Sequence, residues 1–415
     1  MLRRRVIAVP IALLTWATCA DVLPFAAKCA AAALRSFDTL GVVASNVEGR
    51  QAQDAPSKSR GDDLPVRFSD KAFWQLITDL SETGGSFRSD NFLSNENAFQ
   101  TVIPELKTTV PAGGVYLGVG PEQNFTYVVA LRPKLAFVVD IRRQNMIEQL
   151  LYKAFVEMSP SRAEFLSKLF ARKRPADLSA TAPVDTLFAA FTAVTPSEEL
   201  FKENLQAARD RLVKDHKFAL TDEDLRGLEY VYSAFFRGGP DLNYSFVPNG
   251  SGAGGFGAGF PSYADLMNEA DAQGEHRSYL ASEENYRVLR DYQRNNAIVP
   301  VVGDFGGDKA LRAVGDYVRQ HGATVSVFYT SNVEQYLFME PYAWRRFLQN
   351  VATFPIDSRS TFIRSISNRG FPFARFRRFS PGARASTALS SIVDVVRAFN
   401  EGRVHQYEDV VAMSK

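Results

Sequence analysis

Apolar residues recur along most of this chain with the spacing of helices, and short runs that are apolar throughout lie between these stretches. Around residue 75 the apolar positions follow Ser69, which can cap a helix, and Gly84 and Gly85 end the pattern. A second helical pattern covers 98–107. The sequence therefore predicts two helices ahead of the first strand.

The first strand begins the clearest pattern in the chain. The apolar run 115–120 ends in glycines, a helical pattern covers 122–131, and the apolar run 135–140 ends in an aspartate. A strand, a glycine turn, a helix and a second strand that ends in an acid form a βαβ unit. Such a unit predicts a parallel sheet.

Strand and helix alternate again in the C-terminal half. Further strands are predicted at 298–303, 324–330 and 361–366, and further helices at 309–321 and 342–350. The alternation favours an α/β fold with a Rossmann-like, doubly wound and mostly parallel sheet. We interpret the mostly helical section of about 142–297 as an insertion between the second and third strands, packed on one edge of the sheet. Its glycine-rich stretch, 249–260, predicts a flexible loop.

The N-terminus has the pattern of an export signal. Arginines at 3–5 precede an apolar run, 6–20, and alanine-rich sequence follows. We predict a signal peptide over 1–33, a disordered linker over 34–66 and one domain over 67–415. The mature chain is then exported to the periplasm or the extracellular space without an integral membrane span. An uncleaved N-terminus that tethers the protein to a membrane is the alternative.

Composition narrows the choice of partners and chemistry. The 48 basic and 46 acidic residues give a formal net charge of +2, so we expect no nucleic-acid partner. Both cysteines, Cys19 and Cys29, fall within the predicted signal peptide, which leaves no thiol for the folded domain. The four histidines lack the spacing of a metal site, and we predict no metal.

The candidate site lies where the predicted strands end. In an open parallel sheet the ligand crevice lies outside the carboxyl ends of the strands, and Gly118 and Gly120 form the turn there. Asp140 ends the second strand and can accept hydrogen bonds from two ribose hydroxyls. The alternative is a tight turn followed by a helix cap. Glu122 either contacts the amino group of a ligand or favours the positive start of its helix.

At these residues the chain resembles the class I S-adenosylmethionine-dependent methyltransferases, in which a glycine-rich turn accommodates the amino-acid part of the cofactor and an acid holds the ribose. The resemblance covers roughly 115–145 and 298–367. It implies that Asp304 contacts the adenine amino group and that Phe305 covers the ring. The chain also resembles an uncharacterised bacterial family of this Rossmann type, which shares stretches such as 302–309.

Three polar residues are predicted to contact a substrate. Asn332 and Glu334 follow the fourth predicted strand, where methyltransferases that act on amines hold a short polar motif; a helix cap and a first-turn acid are the alternative. Tyr263 follows the glycine-rich stretch and could belong to a lid. The polar stretch 89–96 either folds over the cofactor mouth or forms a solvated turn. The predicted cofactor site comprises Gly118, Gly120, Glu122, Asn124, Asp140, Asp304 and Phe305.

These patterns lead us to expect a methyltransferase-like protein that binds S-adenosylmethionine, with a small-molecule adenosyl ligand as its partner. An exported, non-catalytic Rossmann-fold binding protein is the first alternative. An NAD(P)-dependent oxidoreductase is the second, and Asn124 argues against it because a dinucleotide-binding turn needs a small residue there. The sequence leaves the substrate and the oligomeric state open.

Overall fold

A six-stranded sheet forms the centre of the fold. The computed structural model describes residues 63–244, 260–367 and 385–415. Its strands are β1 Val115–Gly118, β2 Leu135–Asp140, β3 Ile298–Val302, β4 Val325–Ser331, β5 Thr361–Ser367 and β6 Ala385–Ser391. They are ordered β3-β2-β1-β4-β5-β6. The first five pair in parallel and β6 runs antiparallel to β5, so the sheet is mixed and mostly parallel.

Helices connect the strands and cover the sheet. Before β1 lie α1 Asp70–Leu80 and α2 Ile103–Thr109, and α3 Gln123–Leu131 joins β1 to β2. Between β2 and β3 lie α4 Arg143–Met158, α5 Arg162–Leu169, α6 Val184–Thr192, α7 Glu198–Arg209, α8 Asp222–Gly238, α9 Tyr263–Asn268 and α10 Glu283–Arg294. After β3 come α11 Ala310–Gln320, α12 Val333–Leu337, α13 Ala343–Val351, α14 Ile392–Asn400 and α15 Tyr407–Ala412.

Several predictions concern parts of the chain outside the described residues. These are the signal peptide, the linker up to residue 62 and the glycine-rich stretch up to residue 259. Within the described ranges, no helix is both long and apolar enough to cross a bilayer.

The local patterns produce most of the expected elements. In α1 the Ser69 side chain accepts a hydrogen bond from the backbone amide of Ala72 at 3.2 Å, and Phe73 and Ile77 are buried on the inner face. The strand β2 has the predicted bounds at both ends. The strand β6 was not predicted, because its sequence, Ala-Ser-Thr-Ala-Leu-Ser-Ser, contains few strongly apolar residues. Its ladder with β5 holds it at the edge of the sheet.

The helix α4 anchors the helical section between β2 and β3. Nearly all of its residues are buried, and it packs on β3, the edge strand, and on β2, as well as on α8 and α10. Leu150, Leu151 and Phe155 belong to the same core as the strands. The section is therefore continuous with the core of the sheet and packs on it at β2 and β3.

Candidate functional site

A cavity of about 480 Å3 opens at the carboxyl edge of the sheet. The strand order reverses between β1 and β4, and ligand crevices of open parallel sheets lie at such a point. Segments far apart in the sequence form its walls: residues 86–95 between α1 and α2, the turns after β1, β2 and β3, and the region from the end of β4 into α13. Its size is within the range typical of small-molecule sites.

The glycine turn after β1 forms one wall of the cavity. Gly120 lines it with a φ of +80°, a conformation that favours glycine. Gly118 is needed for a different reason, because a Cβ there would lie 1.9 Å from Oδ1 of Asn124. Asn124 in turn donates from Nδ2 to the carbonyl oxygens of Val119 at 3.0 Å and Pro121 at 2.8 Å. Gly118 and Asn124 therefore shape the turn from behind, while Gly120 faces the cavity.

Asp140 lies on the cavity wall at the end of β2, where its predicted role requires it. Its carboxylate is held by Arg142, which donates from Nε to Oδ1 at 3.0 Å and from Nη2 to Oδ2 at 2.8 Å. Arg142 also donates to the backbone carbonyl of Asp90. Burial lowers the pKa of the Arg142 guanidinium. The charge and hydrogen bonds of Asp140 raise it by more, so the net shift is upward. Oδ1 also accepts from the backbone amide of Arg142 at 2.9 Å, so the carboxylate keeps one lone pair, on Oδ2, for a ligand hydroxyl.

The turn after β3 supplies Asp304 and Phe305, and both line the cavity. Oδ1 of Asp304 accepts from the backbone amide of Gly306 at 2.8 Å, while Phe305 stacks on Phe347 with ring centroids 5.5 Å apart. The carboxylate of Glu82 caps the nearby start of α11. It accepts hydrogen bonds from the backbone amides of Asp304 at 2.8 Å, Lys309 at 3.1 Å and Ala310 at 3.4 Å. A protein carboxylate thus occupies the place where a helix would hold a phosphate.

Residues 86–95 cross one side of the cavity mouth. Asn91, Ser94 and Asn95 line it, which is the arrangement expected if the polar stretch 89–96 folds over the site. On the opposite side, Tyr336 accepts a hydrogen bond from Arg88 at 3.0 Å, and its ring meets Phe87 edge-on at 5.2 Å. These contacts join the segment to α12 across the opening.

The three predicted substrate residues lie in different surroundings. Asn332 lines the cavity. Glu334 is not among the lining residues: its buried carboxylate pairs with Arg364, whose Nη2 donates to Oε1 at 3.1 Å. Tyr263 is fully buried, its hydroxyl hydrogen-bonded to that of Tyr279. Only Asn332 has direct access to the cavity, and the substrate roles of the other two remain predictions.

Glu122 is buried behind the glycine turn near Glu148 of α4, and Gln149 of the same helix donates to the carbonyl oxygen of Gly120 at 3.1 Å. Neither carboxylate oxygen of Glu122 or Glu148 has a hydrogen-bond partner of good geometry among the described residues. Burial raises the pKa of Glu122 to about 8, and nearby backbone amides, including that of Ser94, offset only part of this effect. Burial and then the charge of Glu122 raise the pKa of Glu148 well above its usual range.

Several lining residues were missed in the sequence. Arg142 could have been found as a basic residue two positions after a strand-end acid, whereas Tyr244 and Tyr336 reach the cavity only through the tertiary fold. Gln123 and Ser331 also line it, one after the glycine turn and the other at the end of β4. Across the described ranges, no three His, Cys, Asp or Glu side chains gather in a way that could hold a metal ion.

Fold and site together define an α/β protein with a ligand-sized cavity at the carboxyl edge of its sheet. The chain belongs to the family described as domain of unknown function DUF7790, whose model matches residues 91–411. The match begins inside the segment that crosses the cavity mouth and continues to α15, so it includes the sheet and most of the cavity. No curated protein matches the sequence.

Proposed function

We propose that the protein is a Rossmann-like, methyltransferase-like protein and that its cavity binds S-adenosylmethionine or a closely related adenosyl ligand. The observation that carries the proposal is the meeting of Gly120, Asp140 and Asp304 around one cavity, each at the carboxyl end of a different parallel strand. In this arrangement the turn at Gly120 accommodates the amino-acid part, Oδ2 of Asp140 accepts from a ribose hydroxyl and Asp304 accepts from the adenine amino group.

The charge of the cavity supports a cationic ligand over a dinucleotide. Its charged lining residues are Asp140, Arg142, Asp304 and Glu340, and Arg142 is already paired with Asp140. S-adenosylmethionine carries a sulfonium cation, which an acidic lining favours, whereas the pyrophosphate of NAD(P) is anionic. The turn before α3 also contains Pro121, which has no amide hydrogen to offer a phosphate. The oxidoreductase alternative is therefore disfavoured.

A binding protein without catalysis is the second candidate. It is favoured by the engagement of Glu334 with Arg364 and of Tyr263 with Tyr279, because neither predicted substrate residue then offers a free polar group. The proposed export of the chain points the same way, since S-adenosylmethionine is made in the cytosol. A fold of this type does not itself guarantee a reaction.

Calorimetric titration of S-adenosylmethionine and S-adenosylhomocysteine into the full chain tests the proposal. We expect saturable binding of both ligands, and a loss of affinity of about tenfold or more in Asp140→Asn, because hydrogen bonds to a charged group contribute about 1.5–3 kcal/mol. NADH serves as the competing ligand and should not bind.

Two further variants make this titration decisive. Asp316→Asn is the matched control: it alters an exposed acid on α11, paired only with Arg319, and should bind as the wild type does. If Asp140→Asn misfolds because Arg142 loses its partner, Asp304→Asn tests the second ligand acid in its place. A well-folded wild type that binds neither adenosyl ligand would overturn the proposal.

A further inference from the structure

Glu96 is a buried carboxylate directly beneath the cavity. Its side chain is only 2% exposed. Oε2 accepts a hydrogen bond from the hydroxyl of Tyr329 at 2.6 Å, and Oε1 accepts one from the hydroxyl of Ser331. Both donors belong to β4, and Ser331 lines the cavity. A single hydroxyl therefore separates the sealed carboxylate from the ligand space.

The hydrogen bond from Gln123 to Tyr329 shows which groups donate and which accept in this network. Gln123, which also lines the cavity, donates from Nε2 to the hydroxyl oxygen of Tyr329 at 3.0 Å. The amide group is a donor here, so the hydrogen of Tyr329 points to Glu96. Glu96 thus serves as an acceptor in both contacts, and the hydroxyl of Ser331 keeps lone pairs that can receive a hydrogen from the cavity side.

The backbone holds Ser331 in an unusual conformation. Its φ is +54°, in the left-handed region, and the pairing of β4 with β5 shifts register between Tyr329 and Ser331. A residue other than glycine adopts this conformation only where its surroundings enforce it, and such residues concentrate at functional sites. The hydrogen bond to Glu96 is one such constraint, and it fixes the hydroxyl at the end of β4.

The surroundings of Glu96 shift its protonation equilibrium toward the neutral acid relative to a carboxylate in water. Burial raises its pKa, and the hydroxyls of Ser331, Tyr329 and Ser365 offset that effect only in part. The other titratable groups whose electrostatics Glu96 influences are the tyrosines Tyr116, Tyr127 and Tyr407. A carboxylate with a raised pKa is a stronger proton acceptor than one in water.

We propose that Ser331 and Glu96 form a proton-accepting pair at the floor of the cavity, and that the substrate class is therefore a protic nucleophile, a hydroxyl or an amine. The inference rests on the proposed function. The lone pair of the nucleophile forms a bond to the methyl carbon while the carbon–sulfur bond breaks and leaves its pair on sulfur. The proton of the nucleophile passes to the Ser331 oxygen as the Ser331 proton passes to Glu96. Ser331 touches the substrate and Glu96 acts through it.

Proton-linked calorimetry tests the pair without a known substrate. S-adenosylmethionine and S-adenosylhomocysteine are titrated into the full chain at a series of pH values from the ordinary carboxyl range upwards, in buffers with different ionisation enthalpies. A sulfonium bound above Glu96 favours the charged carboxylate. The affinity of S-adenosylmethionine should therefore rise up to about tenfold per pH unit below the pKa of Glu96, with proton release, whereas that of S-adenosylhomocysteine, whose sulfur is uncharged, should lack this rise.

Three variants identify the titrating group. Glu96→Gln should bind both ligands and lose the share of the pH dependence and proton release that Glu96 contributes, whereas Glu105→Gln, an exposed acid on α2, should behave as the wild type. Ser331→Gly suits the positive φ and removes one hydroxyl that lowers the pKa of Glu96, so the pH dependence should move to higher pH. Equal proton release in wild type and Glu96→Gln, or none in a wild type that binds both ligands, would overturn the inference. If neither ligand binds, the proposed function itself fails.

Discussion

Glu122 and Glu148 are two carboxyl groups sealed between the turn after β1 and the helix α4. Both are fully buried, and no basic side chain among the described residues forms an ion pair with either. Arg142 influences Glu148, but its hydrogen bonds go to Asp140 and Asp90. A buried carboxyl with neither a cation nor a hydrogen-bond donor is favoured as the neutral acid, so the folded protein retains a proton on Glu122 up to a pKa of about 8.

This retained proton predicts the pH dependence of stability. The unfolded chain holds it only below the ordinary pKa of 4.5, whereas the folded protein holds it to about 8. Between these values the folded state binds more protons, so the free energy of unfolding falls as pH rises, by up to about 1.4 kcal/mol per unit for one group. Glu122→Gln should flatten this slope, and near pH 8 the variant should be more stable than the wild type.

Urea unfolding at about pH 5 and about pH 8 measures the effect. Glu105→Gln again provides the control, since its exposed side chain should leave the slope unchanged. A Glu122→Gln variant with the pH slope of the wild type would show that Glu122 is ionised in the folded protein.

The pair of Glu334 and Arg364 joins three elements. Glu334 lies on α12, Arg364 on β5, and Arg364 also donates to Ser390 on β6. Both charged side chains are nearly inaccessible to solvent, at 1% and 0% exposure. Removal of one partner from such a pair leaves an uncompensated buried charge, which is far more costly than removal of both.

Arg364→Met should therefore lower the free energy of unfolding by about 3–5 kcal/mol, and the double variant with Glu334→Leu should recover most of that loss. Urea denaturation of the two variants tests this. Arg397→Met, in an exposed pair with Asp394 at 59% exposure on each side, should cost about 1 kcal/mol or less. If Arg364→Met lowered the free energy of unfolding no more than Arg397→Met did, but weakened ligand binding, Glu334 would instead be a ligand residue.

At the level of elements, most helices and strands could be predicted from local sequence. The unit β1-α3-β2 was predictable because its turn, helix period and strand-end acid all lie within 115–140. The strand β6 was not, because it depends on its ladder with β5 rather than on an apolar run of its own. Similarly, Asp140 was found from its position after β2, but its pairing with Arg142 depends on side-chain geometry that the pattern does not encode.

At the scale of the whole molecule, the cavity is a product of topology. Gly120, Asp140, Asp304 and Ser331 are brought together because parallel strands end at one edge of the sheet, and this convergence was predictable for the first three. The contacts of Arg88 with Tyr336 across the mouth were not, since the two residues are far apart in the chain and neither belongs to a recognisable motif. The cavity thus couples the segment 86–95 to α12 and to the sheet.

This coupling predicts how the whole protein responds to a ligand. If the cavity binds S-adenosylhomocysteine, a concentration of about 100 Kd should raise the free energy of unfolding by about 2.7 kcal/mol, because the ligand binds only the folded state. Amide exchange should slow most in 86–95 and 331–343, which form the two sides of the mouth, and little in α7.

Hydrogen exchange by mass spectrometry, with and without the ligand, makes the comparison, and Asp140→Asn at the same ligand concentration is the control. Protection confined to the mouth would place the ligand in this cavity, because a bound molecule there restrains the contacts of Arg88 and Phe87 with Tyr336. Stabilisation of the same size with protection in α7 and none in 86–95 would place the ligand elsewhere. In that case Gly120, Asp140 and Asp304 would be a structural turn and two strand-end acids.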